Sequence, residues 1–68
     1  MTDAQRRELA AYTTGVYAEL SRMMVAQLRA YAREHYVPMG GESTKAGLVQ
    51  EMVGQLRHRR LMEMEAGA

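Results

Sequence analysis

Arg22, Arg29 and Arg33 follow one another at spacings of seven and four residues, and Ser43-Thr44-Lys45 stands a loop further on. The chemistry open to both groups is anion binding. Arginine presents a planar, permanently charged fork that matches the oxygens of a phosphate or carboxylate. If one helix runs unbroken back to Arg22, the three guanidinium groups share a stripe about 16 Å long at 1.5 Å per residue, with small Ala26 between them. That stripe lies about 100° from Leu28 and Ala32, on the solvent side of the apolar face. Ser43, Thr44 and Lys45 open a further helix, whose free N–H groups favour an anion. Each pattern also has a plainer reading. The stripe can be a solvated face with Glu19 paired to Arg22, and Ser43 or Thr44 can simply cap its helix.

Other site chemistry is not expected. His35 and His58 are the only histidines, His58 and Glu63 are five apart, and no HxxxH occurs, so zinc-ligand spacing is missing. Without cysteine there is neither a thiolate ligand nor a disulfide. Ser21 and Ser43 lie in no nucleophile motif. Gly40-Gly41 before Ser43-Thr44-Lys45 falls short of a phosphate loop, which needs GxxxxGK[ST] after a strand. The reading is a protein that is no enzyme and holds no metal or cofactor. His35, near a helix C-terminus, is accounted for by the favourable placement of a cation there. Tyr12, Tyr17, Tyr31 and Tyr36 form i, i+5 pairs that make no stacking platform; Tyr12 and Tyr31 fall on apolar stripes and belong to the core.

The elements that carry these residues are helices. Thr2 caps the first, with Gln5 placed to complete a capping box and Asp3 complementing the dipole. Leu9, Tyr12, Val16, Leu20 and Met23 recur at three- and four-residue steps as one apolar stripe, and Val25, Leu28, Tyr31 and Ala32 form a second. The spacing predicts a helix over about 3–20, a bend near 20–24 and a helix over about 24–36. Ser21 can cap the second of these, whereas Met24 has no capping side chain, so residues 3–36 read as either one helix or two. Pro38 ends the run, because the residue before a proline is driven from the α region. Gly40-Gly41 then allows positive φ or a close backbone approach. Ser43 or Thr44 caps the last helix, whose apolar face is Leu48, Val49, Met52, Val53 and Leu56. Gly47 and Gly54 lie on nearly one side of it, where close helix packing is expected. Arg57, His58, Arg59 and Arg60 read as the basic C-terminal end that complements the dipole. The division is thus an N-terminal helix over 1–22, a two-helix unit over 23–61 and a flexible tail over 62–68, its closing Ala-Gly-Ala disordered.

The stretch from Leu28 to Val53, LRAYAREHYVPMGGESTKAGLVQEMV, resembles the SAP module and its relatives, the helix–extended loop–helix domains and the N-terminal domain of Rho-type termination factors. Leu28, Arg29, Ala32, Arg33, Val37 and Pro38 fill the first half of the pattern; Lys45, Leu48, Val49 and Met52 fill the second. The resemblance covers about half the chain. It implies an all-α fold, with the N-terminal amphipathic helix packed on a SAP-like helix–extended loop–helix. It also implies that the loop-to-helix junction and the preceding helix face a DNA backbone.

Size and charge set bounds on this. Sixty-eight residues make one domain, and a chain so small hides only about 60% of its unfolded surface. Residues 28–56 alone are too few for a core, so the N-terminal helix must supply part of it. Eight of the nine basic residues are arginine, yet the net charge is only +1 and the pI about 8.2. Strongly basic nucleic-acid domains exceed a pI of about 9, so binding would rest on a local patch. No spanning segment or secretory leader is evident, which favours a cytoplasmic protein with no membrane partner. The expected function is binding duplex DNA through its phosphates, by Arg22, Arg29, Arg33, Ser43, Thr44 and Lys45, in a small regulator or a phage or nucleoid accessory factor. The competing expectation is a protein–protein or self-association module. It would use Leu9, Tyr12, Val16 and Leu20 together with the plastic surface that seven methionines provide.

Overall fold

The computed structural model describes residues 1–67. Three helices follow in order, α1 (Asp3–Ser21), α2 (Val25–Glu34) and α3 (Lys45–Ala66), with no strand among the described residues. The α1 start forms as its sequence dictates. Thr2 Oγ1 accepts from the Gln5 N–H at 3.1 Å, and Gln5 Oε1 accepts from the Thr2 N–H at 2.9 Å, which satisfies two donors that no helical carbonyl can reach. α1 ends at Arg22, and α2 begins after Met24. The break falls at a residue with no capping side chain because Gln27 supplies half a capping box from the other side. Its Oε1 accepts the Met24 N–H at 2.8 Å.

α1 and α3 pack antiparallel. The Glu8 carboxylate meets Arg60 at 2.7 Å near one end, and Tyr17 and Ser21 line a hollow with Lys45, Ala46 and Val49 near the other. Leu20, Leu28, Leu48 and Met52 are almost wholly excluded from water, and Ala32, Val37, Val49 and Leu56 complete the buried cluster. Tyr12, Val16, Met23, Val25, Tyr31, Met39 and Val53 close over it. The three apolar stripes thus meet in one core. α2, at 10 residues, is shorter than the roughly 12–15 an isolated helix needs in water; burial of Leu28 and Ala32 holds it. No helix among the described residues is long and apolar enough to cross a membrane.

α2 stops earlier than Pro38 requires. Tyr36 takes a left-handed φ of 54°. The Val37 N–H donates to the Ala32 carbonyl at 2.8 Å, and the Tyr36 N–H to Arg33 at 3.4 Å. This pair of bonds is the Schellman stop, whose left-handed position is usually glycine. Of the two uses open to Gly40-Gly41, positive φ is not taken, and among the described residues no glycine takes it. Gly40 instead serves the close approach, since a Cβ there would lie 2.7 Å from Glu51 Oε1.

The connection over 35–44 is irregular, and α3 pins it with one edge. Arg59 donates to the carbonyls of both His35 and Tyr36. Gln55 Nε2 donates to the Pro38 carbonyl at 2.6 Å, and Glu51 Oε1 accepts the Gly40 N–H at 2.6 Å. Glu51, Gln55 and Arg59 are spaced four apart, so they form one row along the helix, and each takes polar backbone that the loop cannot satisfy itself.

Three expectations about α3 are corrected. The helix continues to Ala66, with Gly67 as its cap, through residues expected to form a tail. Leu, Met, Glu and Ala there favour helix, Arg60 pairs with Glu63 at 3.5 Å, and Leu61 and Met64 are half-buried. Ala68 lies outside the described residues. The basic run Arg57–Arg60 therefore sits inside the helix, not at its dipole end. Gly54 meets nothing within 4 Å, and Gly47 faces the Glu42 carboxylate and Thr44 Oγ1, so neither glycine marks close helix packing.

Candidate nucleic-acid interface

The basic residues divide into those the fold consumes and those it leaves in water. Arg59 is occupied by the carbonyls that end α2. Arg60 bridges Glu8 and Glu63 and lies 5.6 Å from the Tyr12 ring centroid, in reach of a cation–π contact. Arg6 pairs with Asp3 at 3.5 Å. By contrast Arg7, Arg22, Arg29, Arg33, Lys45 and Arg57 are exposed, and among the described residues none has a carboxylate within 4.0 Å. Glu19 does not pair with Arg22.

The unbroken stripe through Arg22 does not form. Arg22 caps α1, outside the helix that carries Arg29 and Arg33, because the chain turns at 22–24. Arg29 and Arg33 remain one turn apart on α2, both exposed, about 6 Å apart along the axis at 1.5 Å per residue. Ser21, the residue before Arg22, shares a hollow with Lys45 and Ala46.

At the loop-to-helix junction Thr44 is the cap, its Oγ1 accepting the Gly47 N–H at 3.1 Å. Ser43 is exposed beside it. The Glu42 carboxylate lies against the first turn at Gly47, so a negative group already complements this end of the α3 dipole. Lys45 projects from the same turn and is exposed. The junction therefore offers one free cation, with its helix start partly answered by the chain itself. The weight of the candidate surface shifts to α2.

The aromatic residues sort in the same way. Tyr12 lies under Arg60, and Tyr31 stacks on His35 with ring centroids 4.0 Å apart. Burial raises the Tyr31 phenol pKa, and Glu19 and Tyr12 add to the shift. Tyr36 is 85% exposed. The apolar stripe of α1 is largely used inside the chain, where Leu9 and Leu20 are buried and Tyr12 and Val16 half-buried.

Sequence reasoning missed the row Glu51-Gln55-Arg59 and the stop at Tyr36. The row shows in the sequence as polar residues four apart along the edge of an apolar face, but its partner is backbone. Compared with known proteins, the chain matches no family model, no curated protein and no solved structure.

Proposed function

We propose that the protein binds double-stranded nucleic acid, duplex DNA foremost, through its phosphates and with little reading of base sequence. In this reading α2, the pinned connection and α3 act as a SAP-like helix–extended loop–helix unit, braced by α1. Arg29 and Arg33 meet the backbone from α2. Lys45, with Ser43 and Thr44 beside it, extends the contact at the start of α3, and Arg22 at the end of α1 adds to it. The observation that carries the reading is the sorting of arginines. Arg59 and Arg60 are engaged at the joints of α3, whereas the pair on α2, like Arg7 and Arg57, is exposed and makes no ion pair among the described residues. Phosphate is a partner that this fork fits bidentately.

The contact is small, so the affinity expected at physiological salt is that of non-specific binding, micromolar or weaker. The test is a titration of labelled duplex DNA at several salt concentrations. Each phosphate neutralised contributes about −0.9 to the slope of log K against log salt. A slope of about −2 to −4, little changed between unrelated sequences, supports the reading. An absence of salt-sensitive binding even at low ionic strength rejects it.

A further inference from the structure

Tyr36 is the residue whose side chain the fold does not use. Its backbone is left-handed, with φ 54°, where a Cβ is unfavourable and glycine is the usual occupant. Its ring does not repay that strain by packing, being 85% exposed. The other tyrosines differ. Tyr12 and Tyr31 are half-buried against the core and each makes a ring contact, and Tyr17 sits in regular helix. The turn that carries Tyr36 is also bonded on both sides. Arg59 binds its carbonyl and that of His35, and the Val37 N–H closes on Ala32 at 2.8 Å. Strained backbone kept in place by its surroundings gathers at ligand contacts. Here the device displays an aromatic face, one turn beyond Arg33, at the end of the helix that bears the free arginines.

We propose that Tyr36 is a stacking contact for an unpaired nucleobase, so that the protein favours a duplex flanked by single strand over a continuous duplex. The inference rests on the nucleic-acid reading and goes further by assigning a base contact. A polyanion that also offers flat π faces matches both neighbours, cations for the phosphates and a ring for the base. Stacking suits any base, because each has a π face, and it leaves sequence preference weak. A base inside an intact duplex is already stacked on both sides and gives Tyr36 nothing to cover.

The probes are a short blunt duplex and the same duplex with a short oligothymidine overhang at each end, titrated at one low salt concentration. Wild type is expected to bind the overhang probe about five- to tenfold more tightly, the lower part of the range that one base–aromatic stack supplies. Tyr36→Phe keeps that preference. Tyr36→Gly removes the ring and relieves the left-handed strain, so it should melt at or above the wild-type temperature and yet bind both probes equally. This opposite movement of stability and preference separates a contact role from a folding role. Equal binding of the two probes by wild type, or a preference that survives in Tyr36→Gly, overturns the stacking proposal and leaves phosphate binding standing. Binding to neither probe overturns both.

Discussion

Two of the three arginines of α3 and the pair on α2 are the same side chain put to opposite uses, while Arg57 of α3 is exposed and unpaired among the described residues. Arg59 and Arg60 are half-buried and engaged, one with two carbonyls at the end of α2 and the other with Glu8, Glu63 and the face of Tyr12. Arg29 and Arg33 are exposed and touch no acid among the described residues. Composition alone, eight arginines at a net charge of +1, gives no hint of this division. It arises because α3 lies along both α1 and the connection, so its flanks meet polar backbone and a carboxylate, while the outer face of α2 meets water. Basic residues in one small chain thus separate into joints of the fold and a surface available to a ligand. Stability should track the first set, and binding the second.

Both sets depend on the core, and the largest effect belongs there. Leu20 is 1% exposed and joins α1 to the cluster. Leu20→Ala should cost about 2–5 kcal/mol, comparable with the roughly 3–5 kcal/mol a core this size supplies. Circular dichroism should show a largely unfolded chain at ambient temperature. A cooperative melt at the wild-type temperature would mean α1 is an appendage rather than a brace.

Next comes the joint at Arg59. Arg59→Ala frees the carbonyls of His35 and Tyr36 to water and removes the clamp on a strained turn. The expected loss is about 1–2 kcal/mol, within or just below the range of hydrogen bonds to charged groups, with the amides of 35–41 exchanging faster than the rest. An unchanged melt would place Arg59 with the idle arginines and blur the contrast.

A smaller effect concerns the phenol of Tyr31. Burial, with Glu19 and Tyr12 adding to it, holds the Tyr31 phenol above its ordinary pKa of 10.0. The folded state then keeps the proton more tightly than the unfolded chain. This contribution is complete below about pH 10 and is lost as pH rises through the folded pKa. Tyr31→Phe should remove that part of the alkaline loss in urea denaturation, and equal slopes above about pH 10 in both proteins would assign the loss elsewhere.

Much of this architecture is legible in the residues. The Thr2–Gln5 box, the three apolar stripes and the Thr44 cap follow from local pattern, because each is decided within four residues. The bend near 22–24 is legible only in part, since its cap is Gln27 reaching back rather than a side chain at Met24. The stop at Tyr36 is not, because a left-handed tyrosine is held by Arg59 from 23 residues away. The last turns of α3 read as a tail, although their residues favour helix. For the candidate site, Arg29 and Arg33 can be read from spacing. That Arg59 and Arg60 are already engaged cannot, because their partners lie on other elements. The Glu42 carboxylate over the α3 start is hidden for the same reason.

The most direct test of the division is the salt dependence of duplex binding by Arg29→Ala/Arg33→Ala beside wild type. Neither side chain touches the core, so the melting temperature should hold, as surface changes of this kind usually stay within about 0.5 kcal/mol. Binding should weaken, and the slope of log K against log salt should flatten by about two units, roughly 0.9 for each phosphate no longer neutralised. A double variant that binds duplex DNA with the wild-type slope would contradict the account, and the arginines of α2 would then be no more than a solvated face.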